Sequence, residues 1–305
     1  MTIKVKMLIV LLLSLLFLSG TDLRASAYEQ EFVVRPEPIL ARGAGRLDLR
    51  FSIQHAKVTF TLSDDPGFIA KILVRYDNEA LAPVLSENFQ AGVFSAEFSS
   101  GTSNEQNMAA PLHDWEIQIG NYDLETDLTL DFEGVQANMD LGGMPLTKLV
   151  VNLKGAQAKL DFSEPTLLTM RNLIITCEGT FFQATGIGNT GFETFQLEAA
   201  GSSIDFNFNG SYAAGDYNAD FKLNGSSARF TLPATAGALV VNRPANRPLE
   251  LTGGGWSKEA PIPPEGYKTD DYEDLESRIN LVLESTATSI LIKREGMNLH
   301  YQLSY

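Results

Sequence analysis

The sequence predicts an all-β fold, a single-stranded right-handed parallel β-helix-like solenoid with an N-terminal β cap. Three observations predict it: apolar residues that alternate with polar ones, a small residue that recurs at near-constant spacing, and the near absence of helical periodicity. Between Leu128 and Ile292 the recurring unit reads as strand, bend, strand. The bend residues are Gly134, Gly155, Gly179, Gly201, Gly225 and, after an insertion, Ser285, at spacings of 21, 24, 22, 24 and 60.

Aligned on the bend, the position six before it holds Leu128, Leu149, Leu173, Phe195, Ala219 and Ile279. Four before it stand Leu130, Val151, Ile175, Leu197, Phe221 and Leu281, and two before it Phe132, Leu153, Cys177, Ala199, Leu223 and Leu283. The third position after holds Ala137, Ala158, Phe182, Ile204, Ala228 and Thr288, the fifth Met139, Leu160, Ala184, Phe206, Phe230 and Ile290, and the seventh Leu141, Phe162, Gly186, Phe208, Leu232 and Ile292. Thirty-four of these thirty-six places are apolar, where a composition 44% hydrophobic would supply roughly sixteen, so the period is two and these are strands. Side chains alternate across a strand, so one face of each is dry, and a glycine turns the corner where a Cβ would clash. One such turn cannot offset the entropy of its own ordering, so turns must stack. Cys177 falls in a dry column and reads as a small buried hydrophobe, and as the only cysteine it forms no intramolecular disulfide. The alternation carries no information on the hand of the coil.

Taken in order along the chain, residues 1–27 read as a secretory signal peptide. Lys4 and Lys6 precede an apolar run from Met7 to Leu18, and Ala25-Ser26-Ala27 supplies the small-residue cleavage site. The run is shorter than the roughly 18 residues a membrane-spanning helix needs, and no later stretch exceeds it, so the mature chain is expected to carry no membrane span. Thr21 follows Leu18-Ser19-Gly20, where a lipoprotein would carry cysteine. Cleavage near Ala27 removes Lys4, Lys6 and Arg24 against Asp22, which takes the formal charge from -15 to -17. So acidic a surface repels nucleic acid.

Residues 28–110 are expected to form the cap, with Leu47, Leu49, Phe51 and Ile53 alternating, then Ala56, Val58, Phe60 and Leu62, closed by the turn Asp64-Asp65-Pro66-Gly67. The polar stretch from Ser99 to Met108 reads as a loop and boundary. Residues 111–305 carry the repeat. It is interrupted at 233–276 by a segment containing Pro244, Pro248, Gly253–Gly255, Pro261, Pro263 and Pro264, read as one irregular turn, including Ala238-Leu239-Val240-Val241, plus a surface loop. Leu299, Tyr301, Leu303 and Tyr305 alternate as a last strand.

No motif points to a catalytic, cofactor or metal site. Gly186-Ile187-Gly188-Asn189-Thr190-Gly191 fits a dinucleotide pattern, but the strand-like residues after it supply no helix N-terminus for a phosphate. His55, His113 and His300 lack metal-ligand spacing. The acidic run Asp270, Asp271, Glu273, Asp274 and Glu276 offers oxygen ligands for calcium without the regular spacing of a calcium loop, and reads better as a solvated loop. Outward columns carry Glu133, Asp140, Lys159, Asp161, Glu178, Glu198 and Asp205, which a polysaccharide-active enzyme could use as acid and base. Trp115, Trp256, Tyr212, Tyr217, Tyr267 and Tyr272 fall outside the dry columns. Of these Trp256, Tyr267 and Tyr272, beside the insertion, mark a possible ligand-contact surface, with loop packing as the other reading.

The stretches Leu130-Asp-Phe-Glu-Gly134, Met139-Asp-Leu-Gly-Gly143, Leu146-Thr-Lys-Leu149, Leu160-Asp-Phe-Ser-Glu-Pro165 and Gly186-Ile-Gly-Asn189, with Gly43-Ala-Gly-Arg-Leu-Asp-Leu49 and Tyr267-Lys-Thr-Asp-Asp-Tyr272, resemble the bacterial toast-rack domain family, which includes LiaF-like and adhesin-like envelope proteins. The resemblance spans most of the mature chain and rests on glycines, apolar columns and turns, so it bears on fold more than on chemistry. It implies an exported, non-enzymatic binding or structural module at the cell envelope, with an envelope glycan or envelope protein as partner. A polysaccharide-active enzyme on the same scaffold, and a stress sensor or inhibitor docking a membrane partner, are the alternatives.

Overall fold

The structure, a computed structural model, describes residues 28–101, 113–243, 249–253, 255–259, 265–286 and 289–295. The expected leader at 1–27, most of the 99–108 loop, Pro244, Pro248, Gly254, Pro261, Pro263, Pro264, Thr288, His300 and the closing strand at 299–305 lie outside these residues.

Alternation makes each turn of the chain a strand, a bend and a second strand. The chain enters through β1 (Tyr28–Val34) and a short helix, α1 (Pro36–Leu40), and its first turn is β2 (Arg46–Gln54) with β3 (Ala56–Ser63). Four strands follow: β4 (Ala70–Tyr76), β5 (Val84–Gln90), β6 (Val93–Ser99) and β7 (His113–Gly120). The regular turns are β8 (Glu125–Glu133) with β9 (Gln136–Asp140), β10 (Leu146–Lys154) with β11 (Gln157–Asp161), and β12 (Asn172–Glu178) with β13 (Phe181–Thr185). They continue as β14 (Thr194–Ala200) with β15 (Ser203–Asn207) and β16 (Gly215–Asn224) with β17 (Ser227–Leu232). The insertion contributes β18 (Gly237–Arg243), β19 (Leu249–Thr252), β20 (Trp256–Glu259) and β21 (Glu265–Thr269), and the last described turn is β22 (Ser277–Thr286) with β23 (Ser289–Arg294).

Stacking sorts these strands into two sheets. The longer first strands line up in a twelve-stranded sheet, β20-β21-β18-β22-β16-β14-β12-β10-β8-β2-β6-β5, and the shorter second strands in an eleven-stranded one, β1-β4-β7-β3-β9-β11-β13-β15-β17-β23-β19. They are called below the long-strand and short-strand sheets. Dry columns from both meet between them in one continuous core. Phe195 of the long-strand sheet stacks on Phe206 of the other at 5.7 Å, and Phe221 reaches Phe230 at 5.1 Å. Cys177 is buried between Leu153 and Ala199, as its column requires, and burial pushes its thiol up to about 12.

The middle of both sheets is parallel, but the expectation of an all-parallel stack is corrected at the margins. There β1 pairs β4, β4 pairs β7, β5 pairs β6, and β21 pairs both β18 and β20, all antiparallel. Chain order and spatial order also part. Within the region expected to cap the stack, β2 and β3 form a turn seated between β6/β7 and β8/β9. At the other end β22 and β23 seat between β16/β17 and β18/β19, so the irregular turn made by the insertion lies outside the last turn and not before it. The physical ground is burial: Ile279, Leu281 and Leu283 fill β22 without a break, whereas β19 is only part-buried and suits a margin.

The corner chemistry differs from the clash expected. At Gly134 a Cβ would indeed meet His55 Nδ1 at 2.8 Å, but at Gly155, Gly179, Gly201 and Gly225 it would meet nothing within 4 Å, and what all five share is a backbone φ of +57 to +62°. That conformation aims each bend N–H at the carbonyl closing the first strand of the next turn, Gly155 to Glu178 and Gly201 to Asn224 among them, at 2.8 and 2.9 Å. His55 occupies the same corner one turn earlier, at φ +50°, donating to Glu133 at 2.8 Å. It escaped the sequence pattern because it is not small, although histidine tolerates this region better than most residues. Beside the glycines runs a ladder of buried hydroxyls: Ser226 Oγ accepts from the Ser202 N–H and Ser202 Oγ from the Thr180 N–H, both at 3.1 Å.

Ser285 is not a bend. It pairs with Leu223 inside β22, and Ala228 pairs with Ile290, so the corner comes beyond Thr286, outside the described residues. A two-residue slip leaves a period-two pattern unchanged, which is why alternation could not detect it.

Gly201→Ala should cost about 1–2 kcal/mol, because an L residue is forced left-handed there. Gly45→Ala, where φ is not positive and the space is open, should be neutral within about 0.5 kcal/mol. Urea midpoints of the two variants compare them directly.

Candidate ligand-contact surfaces

The strands bring the sequence candidates to quite different places. Trp115 is fully buried in β7, and Tyr217 is buried in β16 with its ring 4.8 Å from that of Tyr212, edge to face. Trp256 is half-buried, packs against the core and donates from Nε1 to the Thr252 carbonyl at 3.4 Å. Tyr267 pairs across the sheet with the buried Val240, which puts it on the core-facing side of β21, with the Lys258 ammonium 5.9 Å from its ring. Tyr272 lies on the other side, over Gly237 and Arg278, and donates to Asn280 Oδ1 at 2.7 Å. The three residues read as a possible contact surface therefore do not share a face.

The acidic run serves as a clamp. Arg294 ends β23 at a core-facing position, 7% exposed, and its Nη2 contacts Asp271 Oδ2 at 2.7 Å and the Ala234 carbonyl at 3.3 Å. Asp270 accepts from Ser257 Oγ at 2.7 Å and Glu273 pairs with Lys268 at 3.5 Å. Partial burial pushes the Asp271 carboxyl up, but hydrogen bonds from Arg294 and Thr269 outweigh it and hold the group below its ordinary value. Among the described residues no group of three or more His, Cys, Asp or Glu could hold a metal ion. The glycine-rich 186–191 segment is a short 3-10 turn with Asn189 Nδ2 bound to the Phe162 carbonyl at 2.7 Å, and β14 follows it. His113 is buried beside Trp115 and Tyr76, and that burial lowers its pKa to about 4.

The outward faces of the two sheets contrast. On the long-strand sheet Arg46 binds Asp127, Arg50 binds Asp131 at 2.7 Å, Lys154 meets Glu133 at 3.4 Å, Lys222 meets Glu198 at 3.0 Å and Arg278 meets Asp216 at 3.7 Å, while Lys148 and Arg243 meet no carboxylate among the described residues; on the short-strand sheet the ion pairs gather at the β1, β4 and β7 margin, around Lys71 and Arg75. A depression of about 630 Å³ over this face is lined by two of those pairs, Arg50 with Asp131 and Lys154 with Glu133, and Asn152 donates to Asp131 at 2.6 Å there. The carboxylates offered as acid and base are split between the sheets, Glu133, Glu178 and Glu198 on this one and Asp140, Asp161 and Asp205 on the other.

On the short-strand sheet the register aligns Asn138, Lys159, Gln183, Asp205 and Arg229 in one straight row across β9, β11, β13, β15 and β17. At a strand spacing of about 4.8 Å the row is about 19 Å long. Among the described residues none of these five side chains makes an ion pair or hydrogen bond. The row lies in a shallow depression of about 490 Å³, continuous through Asn138 and Lys159 with a second of about 220 Å³ that contains Phe181. Phe181 is 42% exposed. Its neighbour Phe182 faces the core, so period two puts one ring of the pair outside, a signal present in the sequence but masked by the nearness of Phe181 to the corner.

No family model matches the chain, and no curated protein matches it. Solved structures similar to the chain include three bacterial proteins. One is a candidate cell adhesion protein from Clostridium sporogenes, 14% identical, covering 88% of this chain and 99% of its own, with a TM-score of 0.42. The others are candidate adhesins from Bacteroides fragilis, 11% identical with 88% and 96% coverage and a TM-score of 0.36, and from Parabacteroides distasonis, 10% identical with the same coverage and a TM-score of 0.32.

Two stability predictions follow from the buried groups. Asp271→Ala strands the Arg294 guanidinium and should cost about 3 kcal/mol, measured by chemical unfolding. Because folded His113 resists protonation that the unfolded chain accepts, stability should fall as pH drops from 6.5 to about 4, and His113→Phe should flatten that slope. Asp271 adds a further loss below the ordinary carboxylate range, since its stabilising charge disappears there.

Proposed function

We propose that this chain is an exported, non-enzymatic binding module of the bacterial cell envelope, adhesin-like in action, which holds its partner on the outer face of the short-strand sheet. The observation that carries this reading is the row from Asn138 to Arg229. Five polar side chains, one per turn, have no side-chain partner among the described residues, while on the opposite face Arg50, Lys154 and Lys222 are each held by a carboxylate. The sheet fixes the backbone and spacing of these groups, so an external ligand has only their side-chain rotamers left to order. An open face of this kind gives reactants no enclosure from water, which favours binding over turnover. Lys4, Lys6, the Met7–Leu18 run and Ala25-Ser26-Ala27 support export, and the same polar, glycine-cornered turns support kinship with the toast-rack envelope proteins.

The test is co-sedimentation of the full chain with isolated cell envelopes of the source organism, with the supernatant assayed for released sugar. Saturable pelleting without release is expected. Failure to pellet, or release of sugar, would sink the proposal, the latter in favour of a polysaccharide-active enzyme.

A further inference from the structure

Resting on the reading that the short-strand sheet is the contact face, we infer that its occupant is a linear neutral polysaccharide lying along the stack axis, over the row Asn138, Lys159, Gln183, Asp205 and Arg229 and against the Phe181 ring. The chemistry of the row selects this class. Lys159 and Arg229 only donate hydrogen bonds, Asp205 only accepts them, and Asn138 and Gln183 do both. A polyanion would satisfy the two cations and be repelled by Asp205; a polycation would do the reverse. Hydroxyl groups donate and accept at once, so a polymer of sugars can satisfy every member of the row.

The arrangement excludes two other occupants. A peptide strand adds to a sheet at its edge, but the row crosses the interior of the sheet, where backbone groups are already paired through β9, β11, β13, β15 and β17. A lipid surface would have to strip water from five polar groups that have no side-chain partner among the described residues. Geometry favours an extended chain: the row is straight because parallel register is kept without a slip, and it offers one polar group per strand step over about 19 Å. Phe181, exposed in the depression that joins the row at Lys159, gives a sugar ring an apolar face to rest on, as aromatic side chains do at surfaces that are partly wet.

The experiment is affinity electrophoresis of the full chain through gels containing amylose, laminarin, xylan or mannan, with polygalacturonate as the acidic comparison. Retardation by at least one neutral glycan is expected. It should change less than about twofold across roughly 0.05–0.5 M salt, because a neutral ligand releases no counterions. Phe181→Ala, Lys159→Ala and Asp205→Ala, all on the exposed face and remote from the core, should each weaken it by about tenfold or more, while Lys222→Ala on the opposite sheet leaves it unchanged. Retardation by polygalacturonate alone, abolished by salt, overturns the inference, as does binding indifferent to the three substitutions. If no glycan retards the protein while envelopes still pellet it, the polysaccharide inference fails and the envelope-binding reading stands with a protein partner; if neither binds, both fail.

Discussion

Each bend amide donates to the carbonyl that closes the first strand of the next turn, and this single hydrogen bond ties the conformation of one residue to the register of the whole stack. A left-handed φ is needed to aim the amide along the stack axis, which is why glycine recurs at the corner although from Gly155 to Gly225 there is room there for a side chain. Once the corner is set, side-chain alternation decides the rest. The dry columns of the two sheets face each other, Phe195, Phe206, Phe221 and Phe230 interlock between them, and outward residues from β9 to β17 of the short-strand sheet fall into straight rows with their counterparts above and below.

Such a stack has open ends, and the margins show how the chain manages them. Parallel pairing gives way to antiparallel strands at both ends, and the irregular turns are placed outermost while well-filled turns lie inside. At one end Trp256 packs against the core and Arg294, held by Asp271, ties the acidic turn to the last strand. The acidic run is thereby part of the fastening of that end. At the other, His113 and Trp115 are buried beside β3, which makes that end sensitive to protonation.

The straight outward rows give the surface its functional asymmetry. On the long-strand sheet opposite charges meet across neighbouring strands and satisfy one another. The short-strand sheet carries the same kinds of residue, yet among the described residues its central row has no side-chain partner. Register supplies the regular spacing in both cases but does not by itself decide pairing: Arg50 reaches Asp131 diagonally at 2.7 Å, whereas Asp205 and Arg229, direct partners in register, form no ion pair.

By itself the sequence determined the all-β class, the strand, corner and strand unit, and which side of each strand is dry, Cys177 included, because these depend on local alternation and on a residue type that tolerates a positive φ. It could not place Ser285, since a slip of two residues preserves alternation, and it passed over His55 because a corner residue was sought among small ones. Only the tertiary structure decided that the last turn slips inside the insertion, that Trp256, Tyr267 and Tyr272 separate onto different faces, and that Asn138 to Arg229 form one unpaired row beside an exposed Phe181. Those outcomes depend on which strands pair across long stretches of chain, and pairing is settled by the burial of whole turns against one another, a quantity that no local pattern contains.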